Sequence, residues 1–184
     1  TANMRTGGDD IAQALALMGV KPQWELSSGR LTGFEILKSA VLGRPRVDVT
    51  FRASGFFRDA FPEQINLLDS AARAVMMLEE AQEDNPAAAR YRAEQAAQIK
   101  DGESPESAAH RAGARIFSCQ PGGYGAGLQV LIDEKCWNDR SDLGANYLSW
   151  SSFIYGNGAQ GEAEPRLMEA RLKTVDAIVQ NQDN

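Results

Sequence analysis

The chain has little histidine and little cysteine: one His and two Cys in 184 residues. Cys119 and Cys136 stand apart and form no Cys-x-x-Cys pair, so neither a disulfide framework nor a zinc ribbon is indicated. The single His110 excludes a metal site built from several histidines of this chain and argues against a Ser-His-Asp triad. Because isolated cysteines are typical of reducing compartments, we expect a cytoplasmic protein.

Positive charge and long apolar runs are also scarce. Lys and Arg number 19 against 25 Asp and Glu, for a net charge of −6. An acidic chain is poorly suited to nucleic acid or to anionic membranes, so we expect neither as a main partner. No apolar run approaches the roughly 20 residues that span a bilayer, so no membrane span is expected.

Large aliphatic and aromatic core residues are few. Leu, Ile, Val and Phe together supply 38 residues, and Ala alone supplies 27. Leu, Ile, Val and Phe thus make up about 21% of the chain, just above the roughly 20% below which chains tend toward disorder. We therefore expect one folded α/β segment over residues 1–184, with exposed apolar area or self-association because neighbouring domains would cover part of its surface.

Strands and helices alternate along the sequence. Strands are predicted at 47–53, 114–119 and 175–180, and helices at 58–83, 87–100 and 141–155. A further short helix is predicted to begin at Pro105, with Ser104 as its cap. This order favours an α/β fold with a layered, mostly parallel sheet flanked by helices. The helices between the first two strands make an Ala-rich helical insertion at about 58–113.

A glycine-rich segment, Gln-Pro-Gly-Gly-Tyr-Gly-Ala-Gly, follows the second predicted strand at residues 120–127. It is not a P-loop, because Leu128 and Gln129 stand where Lys-Ser/Thr is required, and it does not match GxGxxG. Tyr124, between Gly123 and Gly125, is placed to touch a flat ligand. Ordinary loop geometry explains the glycines equally well.

The segment Ser-Gly-Phe-Phe-Arg-Asp-Ala-Phe lies where the first strand passes into a helix, at residues 54–61. This is the usual ligand-facing edge of an α/β sheet. Arg58 and Asp59 could bind a carboxylate-bearing ligand, with Phe57 or Phe56 against an aromatic face. The alternative is a helix first turn with core aromatics and a surface ion pair.

The chain ends on five amide or acid side chains, residues 180–184. Such oxygens suit a hard cation or a substrate carboxamide, although a solvated tail has the same composition. Asp9 and Asp10 are a second, weaker indication of a cation site. The default interpretation of the two acids is the start of a helix. We expect the chain to be part of a larger protein.

Four segments together resemble a known family. They are RTGGDDIAQALALMGVKP, LGRPRVDVTFRASGFFRDAFPEQINLLDSA, ARIFSCQPGGYGAGLQVLID and TVDAIVQNQDN. In this order they are similar to the large subunit of class I metal chelatases. That family comprises the CobN-type subunit of aerobic cobaltochelatase and the H subunit of magnesium chelatase. The loop Pro-Gly-Gly-Tyr-Gly-Ala-Gly and the ending Gln-Asn-Gln-Asp-Asn are closer to the cobaltochelatase form.

The resemblance implies an enzyme that inserts Co²⁺ into hydrogenobyrinic acid a,c-diamide during cobalamin synthesis. It implies two smaller AAA+-type partner subunits that use ATP and Mg²⁺, and further domains of the large subunit. Two alternatives stay open. One is a magnesium chelatase H subunit acting on protoporphyrin IX, and the other is a non-catalytic scaffold module.

The resemblance also suggests residue roles. Arg58 would meet a peripheral carboxylate of the tetrapyrrole, with Phe57, Tyr124, Gly123 and Gly125 against the ring. Asp59 would be a base or the residue that orients Arg58. Residues 180–184 would line the metal path, with Gln180, Asn181 and Asp183 as metal ligands and Asp183 also catalytic. The isolated segment should not catalyse, because it carries no nucleotide motif.

Overall fold

Two compact units make up the computed structural model, which describes residues 8–156 and 158–181. The first unit contains the described residues up to 49, together with 67–115 and 179–181, and the second contains 50–66 and 116–178. Each unit contains both helices and strands, and the predicted α/β class is confirmed.

The helices and strands alternate along the chain. The helices are α1 (Asp9–Met18), α2 (Ser39–Leu42), α3 (Gly55–Ala60), α4 (Pro62–Met76), α5 (Pro86–Lys100), α6 (Pro105–Ala112), α7 (Gln129–Asp133), α8 (Arg140–Ser151) and α9 (Pro165–Leu172). The strands are β1 (Val20–Trp24), β2 (Leu31–Ile36), β3 (Phe51–Arg52), β4 (Ile116–Ser118), β5 (Phe153–Gly156) and β6 (Ala159–Ala163).

Small residues dominate the helical core of the first unit. Its buried apolar side chains include Ala14, Leu15, Met18, Leu68, Ala71, Ala72, Val75, Ala87, Ala88, Tyr91, Ala108 and Ala112. The side chains of Asn85 and Ser104 each accept a hydrogen bond from the first turn of the following helix, and a proline opens each helix. The cap and proline predicted for α6 are thus confirmed, because both signals are local.

A buried ion pair ties together separate segments of the first unit. The Arg46 side chain is 1% exposed, and its Nε donates to Glu80 over 2.7 Å. Glu80 also accepts hydrogen bonds from Ser39 and Asn85. These contacts, led by that from Arg46, lower the pKa of Glu80 to about 2.

The second unit contains a four-stranded sheet in the order β3-β4-β5-β6. Only β3 and β4 are parallel, whereas β4-β5 and β5-β6 are antiparallel. The expectation of a mostly parallel sheet was therefore wrong. The helical insertion provides a crossover between β3 and β4, but two residues between β5 and β6 suffice only for an antiparallel return.

Three predicted elements differ from the structure. The helix predicted at 58–83 is divided at Pro62 into α3 and α4, because the residue before a proline is driven away from helical dihedrals. The helix predicted at 141–155 ends at Ser151, and β5 follows. Residues 175–180 form no strand, and Ile178 is 87% exposed.

Within the described ranges, every helix is too short or too polar to cross a membrane. Both cysteines are free thiols: Cys119 is buried and Cys136 is exposed.

Candidate functional site

The turn from β3 into α3 positions the candidate site in the second unit. The Ser54 hydroxyl accepts a hydrogen bond from the Phe57 amide over 3.1 Å and caps the helix. Gly55 follows, and a Cβ at this position would overlap the carbonyl oxygen of Gly123. The close approach therefore requires glycine, and it sets the first turn of α3 against the loop after β4.

Arg58 holds this loop through its guanidinium group. Its Nη1 donates to the carbonyl oxygens of Cys119 (2.8 Å) and Gln120 (3.0 Å). Its Nε and Nη2 donate to the two carboxylate oxygens of Asp59 over 2.6 and 2.8 Å. The residue is 6% exposed, and the Tyr155 ring lies 5.2 Å from its guanidinium carbon. Protein acceptors thus surround the group, and Asp59 raises its pKa.

Asp59 faces outward from this network. Its side chain is 44% exposed, and its Oδ2 accepts a hydrogen bond from the Tyr124 hydroxyl over 2.9 Å. The hydrogen bonds from Arg58 and then Tyr124 lower the pKa of Asp59, and the carboxylate in turn raises the pKa of Tyr124. Asp59 is therefore ionised and only weakly basic at neutral pH, while Tyr124 keeps its proton.

The segment 120–127, termed the glycine loop, presents Tyr124 to solvent. The Tyr124 side chain is 59% exposed. Behind it, the Cys119 thiol donates to the carbonyl oxygen of Gly123 over 2.8 Å. Gly127 has a φ of 72°, and a Cβ there would overlap the ring of Trp150. The loop is thus supported from behind and open at its tip.

The structure brings together most of the residues predicted for substrate binding. Hydrogen bonds connect Arg58 to Asp59 and Gly123, and Asp59 to Tyr124. Phe57 instead packs beside Phe61, with ring centroids 5.2 Å apart. The carbonyl oxygen of Gly125 accepts a hydrogen bond from Arg52 over 2.6 Å. Their roles in binding a substrate remain predictions.

Sequence reasoning missed three residues of this neighbourhood. Tyr155, whose hydroxyl donates to the Cys119 carbonyl oxygen over 2.7 Å, fell inside a segment predicted to be helical. Cys119 is an isolated cysteine in the sequence, which indicates nothing of the hydrogen bond that its thiol donates to the loop. Arg52 gives no signal in the sequence, because Gly125, which it contacts, lies 73 residues away.

The predicted metal residues that the structure describes belong to the first unit. Asn181, in the first unit, donates its backbone N–H and its Nδ2 to Asp10 Oδ1, each over 2.9 Å. Gln180 is exposed, and Asp183 lies outside the described residues. Among the described residues, no group of three or more His, Cys, Asp or Glu could hold a metal ion. The metal path stays a prediction. Asp10 and Asn181, which come from the two segments predicted to favour a cation, are hydrogen-bonded to each other.

Comparison with known proteins assigns the chain to a family. The chain is 59% identical over its whole length to the aerobic cobaltochelatase subunit CobN of Sinorhizobium sp, of which it covers 14%. It is 36% identical to the chloroplastic magnesium-chelatase subunit ChlH of Oryza sativa subsp. japonica, of which it covers 13%. A solved structure of the catalytic subunit of cobaltochelatase from Mycobacterium tuberculosis matches 92% of the chain and 14% of its own, with a TM-score of 0.81 and 45% identity.

The chain thus spans about one seventh of the length of these relatives. The profile of the family described as CobN/Magnesium Chelatase matches residues 1–184, so the chain belongs to the CobN/magnesium chelatase family.

Proposed function

We propose that the chain is a segment of the tetrapyrrole-binding subunit of an ATP-dependent cobaltochelatase that inserts Co²⁺ into hydrogenobyrinic acid a,c-diamide in cobalamin synthesis. The observation that carries this proposal is the identity of 59% to a CobN subunit over every residue of the chain. The identity to magnesium-chelatase subunits is 36%, which favours cobalt as the metal substrate.

The chemistry of chelation agrees with the groups at the site. Insertion removes two pyrrole protons and strips water from the cation while the macrocycle is held in place. Tyr124 provides an exposed aromatic surface for the ring, and Asp59 fixes its hydroxyl. The lowered pKa of Asp59 makes it a poor proton acceptor, so we assign it the orienting role rather than that of the base.

The rest of the machinery lies beyond this segment. Two AAA+-type subunits would hydrolyse ATP with Mg²⁺, and Gln180, Asn181 and Asp183 would continue into the metal path. The segment alone would be inactive, and the complete enzyme would work in the cytoplasm. Further domains of the large subunit would cover the remaining faces of the tetrapyrrole.

Replacing the Tyr124 ring tests the proposal. In the full-length subunit, Tyr124→Ala should weaken binding of hydrogenobyrinic acid a,c-diamide about 2- to 10-fold, because one aromatic contact is worth roughly 0.5–1.5 kcal/mol. Tyr124→Phe should bind almost normally. Tyr147→Ala, on a partly buried tyrosine of α8 in the same unit, is the matched control. Affinity is measured by fluorescence quenching, separately from the rate of cobalt insertion.

A result against the proposal is equally specific. If Tyr124→Ala and Asp59→Asn both leave affinity and insertion at the level of Tyr147→Ala, the glycine loop and α3 only pack against each other. The scaffold alternative then stands. Tighter binding of protoporphyrin IX than of the cobalamin precursor would favour the magnesium alternative.

A further inference from the structure

Arg52 is a partly buried cation beside the glycine loop. It lies on β3, and its Nη2 donates to the carbonyl oxygen of Gly125 over 2.6 Å and to the Ser151 hydroxyl over 3.3 Å. Both acceptors are neutral. The Nε atom is shielded from water and has no hydrogen-bond partner. Nη1 likewise meets no acceptor among the described residues.

Three buried arginines of the chain are neutralised by a carboxylate. Arg46 pairs with Glu80, Arg58 with Asp59 and Arg115 with Asp48, at N–O distances of 2.6–2.7 Å. Within the part of the chain that the structure describes, Arg52 has no such partner. Because a shielded charge without a counter-charge is costly, its persistence beside an open loop indicates an anion supplied from outside.

The neighbouring arginine cannot supply this contact as it stands. Protein acceptors occupy Arg58 on Nε, Nη1 and Nη2, and a ligand carboxylate would have to displace Asp59 or the loop carbonyls. Arg52 keeps Nη1 available, and the residue is partly open to solvent. Arg58 therefore holds the loop, whereas Arg52 has a hydrogen-bond donor that no protein group uses.

We propose that Arg52 binds a peripheral carboxylate of the tetrapyrrole at the base of the glycine loop. The inference rests on the proposed function and adds to it the group that recognises the acidic side chains of the substrate. Its Nη2 anchors Gly125, and its Nη1 donates to the carboxylate. One side chain therefore both positions the loop and binds the charged group of the ligand. A charge-assisted hydrogen bond of this kind favours a free carboxylate over its ester.

The test compares two ligands on the wild type and on three variants. Full-length subunit is titrated with hydrogenobyrinic acid a,c-diamide and with the same macrocycle after methyl esterification of its carboxylates. The wild type should bind the free acid about 10- to 100-fold more tightly than the ester. Arg52→Gln, which can still donate to Gly125, should lose most of that preference while binding the ester normally. Arg166→Gln, on an exposed arginine of α9, is the control and should behave as the wild type.

Each outcome of these titrations either supports or overturns the role of Arg52. A wild type without preference for the free acid overturns the inference even if every variant is unfolded. An Arg52→Gln subunit that weakens acid and ester equally also overturns it, because the residue then acts only by holding the loop. If Arg52→Lys retains a preference that Arg52→Gln loses, the charge itself is responsible, as proposed. Failure of the wild type to bind either ligand would overturn the proposed function as well, whereas normal ester binding preserves it.

Discussion

At the scale of single residues, the partner of an arginine decides what it can do. Arg58 is paired with Asp59, so the buried guanidinium group that orders the glycine loop is not left without a counter-charge. Tyr124 extends that order to the surface through its bond to Asp59. Hydrogen bonds between three side chains thus connect the buried guanidinium group of Arg58 to the exposed ring of Tyr124.

Glu80 should make stability depend on acid. Its pKa falls from 4.5 to about 2 in the folded chain, so the folded state favours the ionised form. The stabilisation is therefore present above about pH 4.5 and is lost as pH falls toward 2. We expect Glu80→Gln to lower the free energy of unfolding at pH 7 by about 3–5 kcal/mol, because Arg46 is left buried and unpaired. Urea titrations at several pH values measure both effects.

A surface carboxylate provides the control for this prediction. Glu169 pairs with Lys173 over 2.8 Å, but its side chain is 47% exposed. Glu169→Gln should leave the free energy of unfolding nearly unchanged, since water screens the pair. Equal losses for the two variants would show that the buried Arg46 pair is no stronger than a surface one.

At the scale of elements, the fit of α3 against the glycine loop depends on one missing side chain. Gly55→Ala should destabilise the chain by about 1–3 kcal/mol, because its Cβ would overlap the Gly123 carbonyl oxygen. Gly144→Ala is the matched control on α8, where a Cβ meets open space. It should stabilise by up to about 1 kcal/mol through helix propensity. Urea unfolding of both variants measures the difference, and a Gly55→Ala chain as stable as wild type would contradict the close approach.

Local signals in the sequence predicted elements better than their pairing. Ser104 and Pro105 located the start of α6, since cap and proline act within one turn. Strand direction is different, because it depends on which strands meet after folding, and the mostly parallel sheet was wrong for that reason. Residues 175–180 are rich in Val and Ile, but β propensity produces no strand without a neighbour to pair with.

The candidate site was predicted in its parts but not in its connections. Arg58, Asp59 and Tyr124 stood out because of their position at strand ends and beside glycine. The bond between Asp59 and Tyr124 spans 65 residues, and no period or spacing in the sequence encodes it. Tyr155 had no signal, since a tyrosine in an apolar segment is most often a core residue.

At the scale of the whole molecule, the second unit exposes apolar side chains that a self-sufficient domain would bury. We use the name α7–α8 face for four of them, with 37–70% exposure: Val130, Ile132, Trp137 and Trp150. Of the twelve residues of α8, only Ser151 is buried. The small share of Leu, Ile, Val and Phe in the sequence predicted such a surface, and the exposed side chains bear this out.

The α7–α8 face should be covered in the full-length subunit, because the chain spans only 14% of a CobN relative and the rest of that subunit is the nearest source of apolar surface. Helices with few buried contacts open readily, so amides of residues 129–151 should exchange quickly in the 184-residue chain. In the full-length subunit the same amides should exchange at least tenfold more slowly, as measured by hydrogen–deuterium exchange mass spectrometry. Residues 67–76 of α4, where most apolar side chains are already buried, provide the internal control and should change far less. Identical exchange of 129–151 in the two proteins would mean that this face stays open to water in the intact subunit, where it would then be available to a separate partner.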